Sequence, residues 1–477
     1  MCANITDDRG LSVAVFSLFS AWLLTVPFEG RVLYVLADRH EMEPHASVFG
    51  AMVACFLGLI LSGFIVSSLQ TARKVILSAT SFCALGSAVF LMPPSFLWNG
   101  FLWASSFLMG LSVSSWGHYL KAYTTPAERT KTVAHGLIYS NLLMILINTV
   151  TANVSAYLGL ALAVLSLIGA FILGTKLAGS APPLEAKSTI APGAKSPPGL
   201  ISPVKPLLFL CLFIAVITID SGLMYQVVSP AYAHHIALAS WYWALPYVVA
   251  LYIMKRILGS SDNGYALYVA LAMMGMAFLA FMTLDRSVGS YLVVDTLILG
   301  ACGVYDLFWW STLAEMLEFG PNPAAILGSG LSANVLGVLA GGIIGRTVFR
   351  GSGLLEGASA LALTVLFLVL AILPRLQKEL SLVLKDHEFL VAFTEAMPEA
   401  SQKEKAEALD KLALVRQLTV REKEVADLLL QGLTYKDIAR GLFISENTVK
   451  YHVKNIYSKV NVRNKIELMN LLTQKTA

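Results

Sequence analysis

Charge is what this sequence has least of. Asp, Glu, Lys and Arg make up 13% of its 477 residues, roughly half their share in a soluble domain. With 56% hydrophobic residues and a mean hydropathy of +0.69, the chain is not a soluble enzyme or a disordered segment. Cysteine is scarce as well. Cys2, Cys55, Cys83, Cys211 and Cys302 form no CxxC pair and no Cys/His cluster, and four of the five lie in apolar runs. A disulfide scaffold and a structural zinc site are thereby excluded. Asp7, Asp8 and Arg9 precede the first apolar run, and no small-residue cleavage site follows it, so no removable signal peptide is expected. A metal cluster, a Walker loop and a nucleophile elbow are also missing. The expectation is a protein that is not an enzyme and needs no cofactor and no metal.

The few charges are unevenly spread. From Arg375 to the end there are 17 Lys+Arg and 14 Asp+Glu in 103 residues, and the first 374 residues hold the other 33 charges. The chain therefore reads as a membrane part, residues 1–374, and a charged tail.

A bilayer-spanning helix needs about 20 apolar residues. Segments of that kind fall at 11–37, 47–69, 74–94, 97–118, 133–151, 154–175, 206–228, 240–258, 264–283, 289–312, 325–345 and 355–374, twelve in all. They must be helices, because a backbone in hydrocarbon has to satisfy its own polar groups. The first contains Pro27, Glu29 and Arg31, which predicts either one long helix or a stop near Phe28 with an amphipathic piece beyond it. Residues 176–205, rich in Pro, Ala, Gly and Ser, form a linker with six spans on either side. With the N-terminus inside, the inner loops ahead of the tail carry twelve Lys/Arg and the outer side five. Both termini are then cytoplasmic, the linker with them, in a multi-pass protein of the cell inner membrane.

Two six-helix halves, a polar central loop and cytoplasmic ends resemble the major facilitator superfamily over residues 11–374. The loop Leu69-Gln70-Thr71-Ala72-Arg73-Lys74 keeps that superfamily's basic pair but lacks its acid and glycine, and Ala127-Glu128-Arg129-Thr130-Lys131 is similar to the corresponding later loop. The resemblance implies a central ligand cavity lined by helices one, four, seven and ten.

Ionisable groups inside spans are costly and mark candidate sites. They are Glu29 and Arg31 in span one, Asp220 in span seven, and Asp295 and Asp306 in span ten, with Tyr225 and Gln226 outward of Asp220. Glu29, Asp220 and Asp306 lie on three of the four helices named above. Asn141, Asn148 and Asn334 read either as hydrogen bonds between helices or as ligand contacts. Trp241 and Trp243 read either as an interfacial belt or as a stacking surface. The adjacent His234 and His235 do not make a metal site by themselves.

The tail opens with a connector, residues 375–412, bearing 6 Lys+Arg and 8 Asp+Glu. Leu376, Leu380, Val383, Leu384 and Leu390 predict an amphipathic helix over 376–396, interrupted at Pro398, and a second helical stretch runs from Glu399 to about Arg416. Residues 413–477 carry 11 Lys+Arg and 6 Asp+Glu, a net +5. Thr419 with Glu422 forms a capping box opening a helix to Leu430. A second short helix runs from Thr434 to about Leu442. Ser445 caps a third that ends near Val460, and Asn464 caps a fourth to Leu472. Ile438, Ala439, Leu442, Val449, Val453 and Ile456 recur at helical spacing as a core face. A tight turn between the second and third helices makes a helix-turn-helix unit. Lys450, Lys454, Lys459, Arg463 and Lys465 concentrate its positive charge.

At Leu418-Thr419-x-Arg421-Glu422, Gly432-Leu433-Thr434, Lys436-x-Ile438-Ala439 and Ile444-Ser445-x-x-Thr448-Val449-Lys450-x-His452-Val453-x-Asn455-Ile456 the tail resembles the LuxR-type (GerE-like) DNA-binding domain. The resemblance implies that the third helix enters the major groove with Lys450, Tyr451 and Lys454 at base-reading positions, while Ser445, Thr448 and Lys436 hold phosphates. It also implies a homodimer on DNA through Ile466 to Leu472. Lys465 and Tyr435 depart from the residues common in that family. Glu422 is expected to serve helix capping and not DNA.

The fold expected is therefore all-α: a twelve-transmembrane-helix bundle with a C-terminal four-helix helix-turn-helix domain. The function expected is a membrane-bound one-component transcription regulator that binds promoter DNA and a small-molecule ligand. The alternative is a major-facilitator-type secondary transporter with a regulatory tail.

Overall fold

The computed structural model describes residues 8–28, 31–42, 44–178, 204–257, 263–318, 320, 322–347, 354–396, 418–430, 433, 435–460, 462 and 468. Twelve helices among them are long and apolar enough to cross a membrane: Asp8–Asp38, His45–Ile65, Leu69–Leu91, Phe96–Tyr123, Pro126–Asn153, Ala156–Gly174, Val204–Ala231, Ala233–Arg256, Tyr265–Thr283, Val288–Met316, Pro323–Thr347 and Gly357–Leu380. Every expected span has its helix. Several helices run past the apolar stretch, as span five does by starting at Pro126, because a helix need not end where hydrocarbon ends.

Spans one and seven are not regular. In span one the α-helix Asp8–Leu23 gives way to a π-helical turn, Leu24–Phe28, and resumes at Arg31–Asp38. In span seven Ile219–Leu223 leads into a second π turn, Met224–Val228. Proline explains both. Pro27 lies inside the first wide turn, and Pro230 follows the second. Each lacks an N–H and its ring collides with the carbonyl four residues back, so the ladder widens locally. Span one thus changes its helical form ahead of Arg31, and residues 29–30, where the stop was expected, lie outside the described residues.

Large apolar side chains such as Phe64, Leu85 and Phe367 point outward, where lipid takes the place of a core. Without a hydrophobic drive between helices, close backbone approach holds the bundle together. A Cβ on Gly341 would lie 2.1 Å from the Ile219 carbonyl oxygen, so spans seven and eleven meet backbone to backbone. A Cβ on Gly328 would lie 2.3 Å from Leu59 O, which joins spans two and eleven across the halves.

The face that carries the N-terminus is closed by contacts between the halves. Arg129, 1% exposed, pairs with Glu318 and donates to the Ala314 carbonyl at 3.2 Å. Asn322 Nδ2 donates to Gly63 O at 2.8 Å, and Ser62 Oγ to Ala324 O at 3.1 Å.

The helix that contains span twelve runs from Leu354 to Ala396 with Pro374 inside it. The amphipathic stretch expected over 376–396 is thus helical, and the compact membrane unit ends at Leu376. Pro398, the second connector stretch and most of the linker 176–205 lie outside the described residues.

The tail unit holds three described helices, Val420–Leu430, Tyr435–Gly441 and Glu446–Val460. Their core is Val425, Leu429, Ile438, Val449, Val453 and Ile456, which Leu468 joins. The fourth helix expected over 464–472 otherwise lies outside the described residues.

Replacing Gly341 with valine is expected to force spans seven and eleven apart, at a cost of roughly 2 kcal/mol. A lower thermal unfolding midpoint of the full chain in detergent is the check.

Candidate functional site: membrane cavity and nucleic-acid interface

The two π turns line one cavity of about 800 Å³ between the halves, through Leu24, Phe28, Met224, Tyr225, Gln226 and Val228. Broken helices at corresponding places in the two halves of a transporter-like fold are where binding sites form, because irregular backbone is tolerated only where it lines a cavity. The lining extends to Arg31, Tyr34, His45, Tyr232, Arg346 and Thr347, all at the face opposite the N-terminus. At the far end Phe16, which lines the cavity, stacks on Trp116 with ring centroids 4.1 Å apart. Cavities of this size suit small-molecule ligands.

Of the residues singled out in the sequence, Arg31, Tyr225, Gln226, Asp306 and Asn334 line the cavity. Asp306 is held from both sides: Tyr247 Oη donates to Oδ2 at 2.9 Å and Trp309 Nε1 to Oδ1 at 3.1 Å. Glu29 lies outside the described residues. Asp220 does not line the cavity, although Ser221 and Gly222 do. It is 0% exposed, and among the described residues neither carboxyl oxygen has a hydrogen-bond partner. Asn141 and Asn148 line the cavity together, but only Asn148 joins two helices, Asn141 being bonded within its own. Asn141 Nδ2 donates to Leu137 O at 2.9 Å, and Asn148 Oδ1 accepts from the Arg31 backbone N–H at 3.2 Å. The two tryptophans separate: Trp241 is exposed, while Trp243 lines the cavity 6.3 Å from the Tyr225 ring. His234 and His235 both reach the Arg286 carbonyl oxygen.

Sequence reasoning missed Tyr34, His45, Tyr291 and Arg346 in the lining. The signal that was available is the prolines near the outer ends of spans one and seven. On span ten, Tyr291, Asp295, Ile298, Cys302 and Asp306 all face the cavity, following the three- and four-residue steps of one helical stripe.

The tail site is built on its third helix. Val449, Val453, Ile456 and Val460 bury one face, which leaves Lys450, Tyr451 and Lys454 on the other. Tyr451 is 63% exposed. Lys450 Nζ sits 2.9 Å from Glu446 Oε1 in an exposed i,i+4 pair, an interaction weak enough to exchange for a phosphate. Ser445 caps the helix: its Oγ accepts from Thr448 N at 3.1 Å and lies 2.7 Å from Thr448 Oγ1. Lys436 lies on the second helix, and its side chain is outside the described set.

Glu422 completes the capping box in both directions, accepting from Thr419 N at 2.8 Å while its own N–H donates to Thr419 Oγ1 at 3.2 Å. Lys459 also reaches it, Nζ to Oε2 at 2.6 Å. This lysine, which the sequence placed in the basic footprint, is therefore tied to the domain's interior. Burial pushes the Glu422 carboxyl up, but the bonds from Lys459 and Thr419 outweigh it and leave the group below its ordinary range.

The turn between the second and third helices is a Schellman motif. Ile444 N donates to Ala439 O at 2.9 Å and Phe443 N to Arg440 O at 3.4 Å. Phe443 holds φ 55°, a left-handed position usually given to glycine, with 95% of its side chain exposed.

Together these observations define a twelve-span membrane domain of major-facilitator-like fold joined to a helix-turn-helix DNA-binding domain. Residues 416–472 match bacterial regulatory proteins of the luxR family. The chain is 45% identical over 58 residues to the spore germination protein GerE of Bacillus subtilis (strain 168), which is 11% of this chain and 78% of that protein. It is 47% identical over 53 residues to the CsgBAC operon transcriptional regulatory protein of Escherichia coli (strain K12), 11% of this chain and 24% of that one. It thus spans about a quarter of the length of that relative. Through its C-terminal domain the chain belongs to the luxR family. The membrane fold is similar to that of the human organic anion transporter MFSD10, with TM-score 0.57 and 18% identity over 77% of this chain and 98% of that one. It is also similar to a bacterial homologue of the iron transporter ferroportin in an outward-facing state, with TM-score 0.58 and 14% identity over 79% and 100% of the two chains. At such identities the likeness speaks for the fold alone.

Replacing Phe443 with glycine is expected to stabilise the tail domain by about 1 kcal/mol, since an L side chain in that region is strained and this one buries nothing. Urea unfolding of fragment 413–477 measures it. For Glu422 the lowered folded-state pKa means stability present in full above the ordinary carboxylate range and lost as pH falls through the lowered value. The Glu422→Gln fragment is expected to be less stable at neutral pH and to lose less on acidification, read from unfolding at a series of pH values.

Proposed function

We propose that this chain is a membrane-bound one-component transcription regulator. A small molecule enters the cavity from the face opposite the N-terminus, and its binding controls how the tail domain engages promoter DNA. The observation that carries this reading is the lined cavity on the same chain as the luxR-family domain, with about 40 residues between the modules. That length is too short for a further folded domain of ordinary size. The lysine asymmetry of the loops supports an inner-membrane protein with both termini in the cytoplasm, where the tail meets DNA. The cavity then faces the outside, and the Arg129–Glu318 contacts close the cytoplasmic side. Ligand binding biases the two halves, span twelve and the connector pass the change on, and the tail pairs as a homodimer through Ile466 to Leu472. A shift from 1:99 to 99:1 requires a differential ligand affinity of about 10⁴ between the two states.

Asp220 favours a second reading. A buried carboxyl with no partner on a major-facilitator-like scaffold suits proton coupling in a secondary transporter. Uptake into vesicles that collapses in Asp220→Asn would support that reading.

Deleting residues 1–374 is expected to make promoter output insensitive to inducer, and a ligand response kept by the isolated tail would overturn the sensor reading. Lys450→Ala and Lys454→Ala are expected to abolish specific binding in a gel shift with fragment 413–477 while its unfolding midpoint stays unchanged. The fragment suits that test because it has its own core and covers most of GerE.

A further inference from the structure

Among the described residues, the cavity holds one cation and one carboxyl group that are left unsatisfied. Arg31 lines it at the start of the helix Arg31–Asp38 of span one. Among the described residues its guanidinium has no carboxylate and no hydrogen-bond acceptor; only its backbone N–H is bonded, to Asn148. From the other half, Asp295 lines the same cavity at 6% exposure, and its Oδ2 has no hydrogen-bond partner. Tyr291, one turn away on span ten and 5% exposed, has an unbonded hydroxyl as well, and it lies close enough to Arg31 and Asp295 to feel both charges.

Asp306 is the internal comparison. It stands on the same stripe of span ten, lines the same cavity, and is bonded on both oxygens by Tyr247 and Trp309. Among the described residues the inner carboxyl is therefore satisfied and the outer one is left open, in a cavity that Arg31 of the other half also lines. Buried polar groups without partners are unfavourable, and a polar group placed to satisfy them recovers that free energy on binding. Around the two charges the walls are apolar and aromatic, including Leu24, Phe28, Tyr232 and Trp243.

We infer that the cavity takes a small zwitterion with an apolar body, its carboxylate on Arg31 and its protonated amine on Asp295, with the Tyr291 hydroxyl between them. Arg31 suits the carboxylate because its planar fork matches two oxygens. Asp295 suits the amine because an ionised carboxylate only accepts hydrogen bonds. The assignment rests on the sensor reading for its biological meaning, but not for the binding itself.

The test uses the purified full chain in detergent and three sets of probes. Each set keeps one apolar body and varies the charges: phenylalanine, phenethylamine and 3-phenylpropionate; leucine, isopentylamine and 4-methylpentanoate; tryptophan, tryptamine and indole-3-propionate. In at least one set the zwitterion is expected to bind about ten-fold or more tightly than either single-charge analogue. Arg31→Gln is expected to bring the zwitterion down to the level of the amine while leaving the amine's own affinity unchanged, and Arg31→Lys to restore part of the difference. Asp295→Asn is expected to bring it down to the level of the acid. Unchanged thermal midpoints of the variants keep folding out of the comparison. The proposal is overturned if no zwitterion binds saturably, if the members of every set bind alike, or if each substitution lowers all probes equally, which is the signature of Arg31 and Asp295 pairing with each other. Promoter output separates the two claims. A zwitterion that binds without changing output leaves the ligand class standing and removes the sensor reading. An inducer whose effect survives both substitutions does the reverse.

Discussion

A backbone amide in hydrocarbon has nothing to bond to except another part of the protein. That demand makes the twelve spans helical, and it also decides where the helices are allowed to fail. Spans one and seven widen into π turns at Pro27 and just ahead of Pro230, and both failures line the cavity. Elsewhere helices approach one another through glycine, as at Gly328 and Gly341. The two wide turns face the cavity, and span eight, interrupted at Trp243 and Ala244, lines it as well.

The same logic separates the two ends of the membrane domain. On the N-terminal face, buried Arg129 is matched by Glu318 and a backbone carbonyl, so charge there closes the halves onto each other. On the opposite face, charge lines the cavity, through Arg31, Asp295 and Arg346. An ion pair spans the halves at one end, while at the other Arg31 and Asp295 are left open among the described residues, so that each state of a two-state molecule would have something to satisfy.

Span number and position were legible in the sequence because hydropathy is a local property. The depth of a residue within a span was legible for the same reason. Its rotation about the span was not. Asp220 misses the cavity although Ser221 and Gly222 line it, and Trp243 lines it while Trp241, two residues earlier, faces out. Rotation is set by neighbours that a single sequence does not position. In the tail the local signals were stronger, and the capping box at Thr419 and Glu422, the cap at Ser445 and the core face all appear where the spacing puts them. The exception there has the same cause. Lys450 and Lys459 are nine residues apart, half a turn in phase at about 100° per residue, and Lys459 reaches the buried Glu422 on another helix.

The connector from 375 to 412 sets a geometric limit on regulation. An extended chain covers at most about 3.6 Å per residue, so 38 residues reach no farther than roughly 140 Å. Under the proposed reading, a domain a little smaller than the free-standing relative GerE would thereby be confined to a shell beneath the bilayer. On that reading an operator would be bound only while its stretch of chromosome visits that shell, and the frequency with which a locus approaches the membrane would become part of the apparent affinity. Moving the target gene along the chromosome would then change its regulation with no change in either sequence.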